Sequence, residues 1–288
     1  MSTRAALRDA VAVLHDAGIE TARNDAEWLF ADALGVGRAE LQVLLDEPLS
    51  PRTTQTLTAA VRRRARGEPL QHILGWESFR GLRLRVTRDV LVPRPETELL
   101  VERVLALLPA SAPAVVDVGT GSGNIACAIA AERPDARVVA VDLSLAAVFA
   151  ARENVARLGL AARVRVAAGD LLGCLRKASA DLVVSNPPYL PRGALRGLPR
   201  EVRDHDPWLA IDGGEDGLDV VRRLVRDAPR VLREHGALVM ETGGGDHARA
   251  ARELMGAAGL VALDVRTDLT GIPRFVSGRL GSRIEARP

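Results

Sequence analysis

Two short segments of this chain hold residue types in an order that chemistry can use. The first is Asp117-Val118-Gly119-Thr120-Gly121-Ser122-Gly123, between an apolar run at 115–118 and a helical pattern at 125–131. Glycines there let the backbone turn tightly and let a ligand approach closely, while the next helix start offers unpaired N–H groups to a polar or anionic group. The third glycine stands one position earlier than in the dinucleotide fingerprint, where Asn124 would have to be glycine, and this weakens an NAD reading. Asp142 lies 19 residues past Gly123, at the end of the next apolar run, where an acid can accept both ribose hydroxyls of a nucleoside. Loop and acid together point to an adenosine-type cofactor. The second segment is Asn186-Pro187-Pro188-Tyr189, directly after the apolar run 181–185. Two prolines stiffen the loop and leave carbonyls without local partners. An Asn side-chain oxygen and the Pro187 carbonyl are two acceptors suited to the two hydrogens of an NH2 group, and Tyr189, the only tyrosine, offers a flat surface to a planar group. Such a site accelerates transfer to nitrogen by positioning and preorganised dipoles, with no strong base.

These loops need strands to hold them. From Val115 the pattern alternates strand and helix: strands at 115–118, 138–141, 164–167, 181–185 and 237–241, helices at 125–131, 146–157 and about 218–232. That alternation predicts a parallel sheet covered on both faces, with both motifs at the carboxyl edge where open α/β sheets place their sites. Runs at 261–265 and 274–279, separated by Gly-Ile-Pro, predict a closing hairpin with one antiparallel strand. The first seventy residues instead show helical stripes, with Ser50-Pro51 as a cap and first-turn proline. Between them Leu82, Leu84 and Val86 alternate with Arg83, Arg85 and Thr87, the period of a half-buried strand. The predicted organisation is a helical bundle over 1–73, a β-hairpin linker over 74–92 and a catalytic α/β domain over 93–288.

Composition excludes several classes. Hydrophobic residues make up 47% of the 288 and charged residues 26%, which fits a folded globular chain rather than a disordered one. The best apolar stretch, 99–118, contains Glu102, Arg103 and Asp117, so no membrane span is expected. No secretory signal is expected either, which makes the cytoplasm the predicted compartment. Cys127 and Cys174 have neither disulfide nor zinc spacing, and the helical position of Cys127 predicts a buried apolar role. The five histidines lack ligand spacing. Asp204-His205-Asp206 reads as a solvated turn, and no metal is expected. Lys177 is the sole lysine, a bias that reads as compositional, although the run Arg62, Arg63, Arg64 and Arg66 stands out as a possible nucleic-acid contact.

The glycine loop, Asp142 and Asn186-Pro187-Pro188-Tyr189 together resemble the Rossmann-like class I S-adenosylmethionine-dependent methyltransferases, and the tetrapeptide resembles those that methylate amino or amide nitrogen. Three further segments narrow the likeness: Gly67-Glu68-Pro69-Leu70-Gln71-His72-Ile73-Leu74-Gly75, Leu91-Val92-Pro93-Arg94-Pro95-Glu96-Thr97-Glu98 and Gly213-Gly214-Glu215-Asp216-Gly217-Leu218. With them the chain resembles the release-factor glutamine methyltransferases, the HemK family, over nearly its whole length. The resemblance implies that Gly119, Thr120, Gly121, Ser122 and Gly123 line the methionine part of S-adenosylmethionine, that Asp142 holds the ribose, and that Asp170 and Leu171 border the adenine. It implies that Asn186, bordering cofactor and substrate alike, binds the substrate amide through its side chain and Pro187 through its carbonyl, with Pro188 and Tyr189 completing the substrate loop. The implied catalytic set is Asn186, Pro187 and Tyr189. S-adenosylhomocysteine would be the product and class-1 peptide chain release factors the partners. The N-terminal bundle would help grip that protein, the enzyme would act as a monomer, and no direct nucleic-acid or membrane binding is expected. At 243–247 the chain departs from the family pattern, which has a Gln near Glu241-Thr242-Gly243. The alternatives are N-methylation of a nucleic-acid base amino group, favoured by the arginine run, and a dinucleotide-binding protein, disfavoured by the glycine spacing.

Overall fold

The computed structural model describes residues 1–282. Contacts divide the chain into a unit of residues 1–76 with Pro199–His205, and a unit of residues 77–198 with Asp206 onward.

The first unit is helical: α1 (Thr3–Asp16), α2 (Ala22–Leu34), α3 (Arg38–Leu41), α4 (Pro51–Ala65) and α5 (Leu70–Leu74). The start of α4 follows from local chemistry, because the Ser50 hydroxyl accepts from the Thr53 N–H at 3.0 Å and Pro51 occupies the first turn. Leu14, Phe30, Leu41, Leu57 and Val61 fill the core. The arginine run at the end of α4 is largely occupied within this unit. Arg64 pairs with Asp25 at 2.7 Å and with Glu201 at 2.9 Å, and Arg63 pairs with Glu68 at 2.6 Å. Arg62 and Arg66 point to solvent. Two of the four cations are therefore neutralised by neighbours, and the run is not a free basic surface.

The second unit contains β1 (Trp76–Phe79) from its second residue on, with β2 (Leu82–Arg85), then α6 (Glu96–Leu107), β3 (Ala114–Val118), α7 (Asn124–Glu132), β4 (Arg137–Asp142), α8 (Leu145–Arg157), β5 (Val164–Ala168) and β6 (Ala180–Ser185). A 3-10 turn at Arg192–Gly197 and α9 (Arg200–His205, of the first unit) interrupt the pattern. It resumes with α10 (Trp208–Ile211), α11 (Asp219–Val231), β7 (Leu232–Glu241), α12 (Gly245–Ala257), β8 (Leu260–Thr267) and β9 (Pro273–Leu280). The seven-stranded sheet has the order β5-β4-β3-β6-β7-β9-β8, and β9 alone runs antiparallel to its neighbours. This is the expected α/β sheet, mostly parallel with one antiparallel strand near the C-terminus, and the hairpin β1–β2 precedes it. Val118 aligns with Val141 and Ser185, and Ser185 with Met240, so the carboxyl ends of β4, β3, β6 and β7 reach one edge together.

Some elements differ from the sequence expectation. β7 begins at Leu232 rather than Ala237, because the polar stretch Arg233-Glu234-His235 hides its first half and a register shift opposite Ala180–Leu182 accommodates it. The pattern also gave no sign of α12, whose buried stripe is Ala248, Ala251 and Met255, two of them too small to stand out. The solvated turn expected at Asp204-His205-Asp206 is not what forms. Asp206 is 4% exposed and its carboxylate pairs with Arg94 at 2.8 Å, a partner 112 residues away.

Candidate active site

The glycine loop leaves β3 and is locked from beneath. Asp117 is fully buried and its Oδ2 accepts from the Thr120 hydroxyl at 2.6 Å and the Ala126 N–H at 3.2 Å. Burial pushes the Asp117 carboxyl up to about 7. Thr120 thus spends its hydroxyl on the loop itself. Asn154, fully buried on α8, donates to the Ser122 carbonyl at 2.8 Å and exchanges hydrogen bonds with the Arg85 backbone, clamping the loop to β2. Gly123 has φ +80° and begins α7 so close to α8 that a Cβ there would lie 3.2 Å from the Ala151 Cβ. Its place in the spacing therefore reflects helix-on-helix packing.

Above the loop lies a cleft of about 890 Å³, counting its open mouth, lined among others by Gly119, Gly121, Asp142, Asp170, Leu171 and Asn186. A smaller cleft adjoins it and adds Thr120, Ser122, Arg94 and Thr97. Asp142 accepts from the Gly121 N–H at 2.8 Å through Oδ2 and from the Ser144 N–H at 2.9 Å through Oδ1, so each oxygen keeps further lone-pair capacity toward the cleft. Asp170 pairs with Arg223 at 2.6 Å on the same wall. Leu171 holds a left-handed φ of +48°, a strained setting for a non-glycine residue. Positions 119 and 121 have open space where a Cβ would stand, and the Ser122 Oγ at the smaller cleft has no hydrogen-bond partner among the described residues. A nucleoside bearing an amino-acid tail fits such a cradle of open backbone, an outward acid and unspent polar atoms.

The Asn186-Pro187-Pro188-Tyr189 loop leaves β6 on the other side of the cleft. Its root is fixed by the buried Ser185 hydroxyl, which donates to the Val118 carbonyl at 2.7 Å. Asn186 donates through Nδ2 to the Thr97 hydroxyl at 3.2 Å, and Thr97 donates to Glu241 Oε2 at 2.8 Å. The Asn186 Oδ1 and the Pro187 carbonyl accept no hydrogen bond from the described residues. Tyr189 lies outside both clefts, as do Pro187 and Gly123. Its ring abuts Gly243 near His247, and its carbonyl abuts Gly217. Burial and the nearby Glu241 carboxylate push the Tyr189 phenol up to about 12, so it stays neutral and is no base near neutral pH. Leu190 exchanges hydrogen bonds with Ile211 and Gly213, stitching the loop to 211–214. Cys127 is buried, and its thiol is pushed up to about 12 by that burial, as suits a core position. Among the described residues no group of three or more His, Cys, Asp or Glu could hold a metal.

Thr97, Asn154 and Glu241 are the residues that sequence reasoning missed as site components. Asn154 and Glu241 carried no local motif. Thr97 stands inside the Leu91–Glu98 segment, but its partner lies 144 positions away.

The sheet order, the glycine loop after β3 and the acid after β4 define an S-adenosylmethionine-dependent methyltransferase. Solved structures agree at the level of fold: a methyltransferase from Pyrococcus furiosus matches with a TM-score of 0.54 at 16% identity over 70% of this chain and 90% of that one. The catalytic domain of hMettl16, in complex with an RNA hairpin, matches with a TM-score of 0.59 at 16% identity over 83% and 85%. Residues 5–75 match the PrmC N-terminal domain family and residues 95–196 the methyltransferase small domain family. The release factor glutamine methyltransferase of Geobacter sulfurreducens is 43% identical over 93% of both chains, and that of Moorella thermoacetica 46% identical over 78% of this chain and 80% of its own. The chain belongs to the release factor glutamine methyltransferase family.

Proposed function

We propose that this protein transfers the methyl group of S-adenosylmethionine to the side-chain amide nitrogen of a glutamine in class-1 peptide chain release factors. The observation that carries the reading is the pair of unspent acceptors on the loop that leaves β6 beside the cleft, Asn186 Oδ1 and the Pro187 carbonyl, matched to the two hydrogens of a primary amide. Curated relatives with that name support it over most of the chain.

When bound, S-adenosylmethionine supplies an electrophilic methyl on a positively charged sulfur. Gly119, Thr120, Gly121 and Ser122 form the floor of its site, with Gly123 turning the chain into α7 behind them, Asp142 accepts the ribose hydroxyls, and Asp170 and Leu171 border the base. An amide nitrogen is a poor nucleophile because its lone pair is delocalised into the carbonyl. Asn186 and Pro187 accept both of its N–H groups, which pushes charge onto nitrogen and aligns it for in-line attack. Pro188 walls the cleft, and Tyr189 braces the loop from behind. The proton on the methylated nitrogen is strongly acidic and leaves to water. The helical N-terminal unit helps grip the protein substrate, and the reaction belongs in the cytoplasm, where release factors work. No helix of the described residues is long and apolar enough to cross a membrane.

The test is label transfer from S-adenosylmethionine to a release factor, to the same factor with its target glutamine substituted, and to DNA or RNA. Label is expected on the first alone, and label on nucleic acid or equally on the substituted factor overturns the reading. Asn186→Ala should lower kcat by about 10²–10³-fold with cofactor affinity unchanged.

A further inference from the structure

Among the described residues the Asn186 side chain makes a single hydrogen bond, and it leads inward. Its Nδ2 meets Thr97 Oγ1 at 3.2 Å, and Thr97 Oγ1 meets Glu241 Oε2 at 2.8 Å. Thr97 and Glu241 are each 2% exposed. A hydroxyl has one proton, and an ionised carboxylate only accepts. With that proton committed to Glu241, Thr97 can only accept from Asn186. The Asn186 amide must then turn its NH2 inward and its oxygen toward the cleft, the orientation needed to accept from a substrate amide.

We infer that Glu241 is a positioning residue for the methyl transfer: its carboxylate, acting through Thr97, fixes which face of the Asn186 amide meets the acceptor nitrogen. A protonated Glu241 reverses the polarity. The acid can donate to Thr97, the threonine proton is released toward Asn186, and the amide can turn its NH2 outward against the N–H groups it should receive. Several charges bear on this switch. Arg274 on β9 and Arg94 before α6 favour the carboxylate, while burial and Glu96 on α6 oppose it, and the Tyr189 phenol faces it uncharged. Arg274 is itself tied to Asp268 at 2.9 Å and Arg94 to Asp206 at 2.8 Å. The balance holds the Glu241 carboxyl up at about 7, so both polarities are accessible near neutral pH.

The inference rests on the functional reading above, and its test separates the two. Full-length wild type, Glu241→Gln, Thr97→Val and Thr97→Ser are assayed with release factor and saturating S-adenosylmethionine, on both sides of the Glu241 titration near pH 7. Wild-type kcat should fall on the acid side. Glu241→Gln should lose that acid limb, and Thr97→Val should lose it together with about tenfold to a hundredfold in kcat. Thr97→Ser should retain both. S-adenosylhomocysteine affinity and melting temperature report on folding, and if Glu241→Gln fails to fold, the Val and Ser pair at position 97 carries the test. An acid limb unchanged in Glu241→Gln, or Thr97→Val within twofold of wild type, overturns the positioning role. Absence of any transfer by wild type overturns the functional reading instead, because the role of Glu241 is read only from variant-to-wild-type ratios.

Discussion

The Ser185 hydroxyl donates to the Val118 carbonyl across 2.7 Å, joining the last residues of β6 and β3 directly beneath the two loops that face each other over the cleft. The bond sets the spacing between the cofactor floor and the Asn186 acceptor. Ser185 is 1% exposed, so Ser185→Ala would remove a buried hydrogen bond to the Val118 carbonyl. It should cost about 1–3 kcal/mol of stability, measured by denaturant unfolding. It should also lower kcat more than cofactor affinity.

Gly217 presses on the Tyr189 carbonyl. A Cβ at position 217 would lie 2.3 Å from that oxygen and 2.5 Å from the His247 ring, and its φ of +79° already disfavours any side chain. Gly217→Ala should therefore displace the Asn186–Tyr189 loop. Release-factor methylation is expected to drop at least tenfold while S-adenosylhomocysteine still binds by calorimetry, since the cofactor floor lies across the cleft.

The pH dependence of stability follows from Asp117. Its carboxyl stands at about 7 in the fold against an ordinary 3.8, so the folded chain holds a proton that the unfolded chain has released. That contribution is complete below about pH 4 and is lost as pH rises through 7. Glu241 acts in the same direction from 4.5 to about 7. Asp268, held low by Thr270 and Arg274 hydrogen bonds, acts oppositely and only in strong acid. Asp117→Asn keeps an acceptor for Thr120 and Ala126 and removes the titration. Ligand-free Asp117→Asn should melt about 5 °C higher than wild type at pH 8, the shift that about 2 kcal/mol produces in a domain of this size, with little difference at pH 4.

Arg64 and Asp25 form an ion pair with side-chain exposures of 6% and 4%. Removing one partner of such a pair strands the other's charge, at about 3–5 kcal/mol. Arg64→Ala should destabilise the N-terminal unit by that amount in chemical unfolding. Arg62→Ala, at a solvated position, should change stability by less than about 0.5 kcal/mol.

The strands that hold the site were legible because they are short apolar runs ending in marked loops, as at Val115–Val118 before the glycines and Leu182–Ser185 before Asn186. Local chemistry was legible too, down to Ser50 capping α4. What stayed hidden depends on residues far apart in sequence. Asn154 reaches Ser122 and Arg85, Thr97 reaches Glu241, and Asp206 reaches Arg94 across 112 positions. No spacing rule predicts such meetings, since the fold alone creates them. The Asp204-His205-Asp206 segment shows the cost of a local reading, because three polar residues in a row look solvated until one of them is buried in an ion pair. Loop 243–247 is the reverse case. It departs from the family pattern, yet its Gly243 abuts the Tyr189 ring and its His247 stands beside Gly243 and Gly217, which makes the loop part of the brace.

The antiparallel strand has a consequence for how the enzyme comes into being. Phe275 on β9 pairs with Glu241, and β9 sits between β7 and β8 although it is made after both. A chain emerging from the ribosome can assemble the cofactor floor from β3 and β4 early, but β7 keeps an open edge until residues near 275 appear. Arg274, one of the charges that favours the Glu241 carboxylate against its burial, arrives with them. The Glu241 environment inferred above to orient the amide is therefore complete only when the last strand joins the sheet.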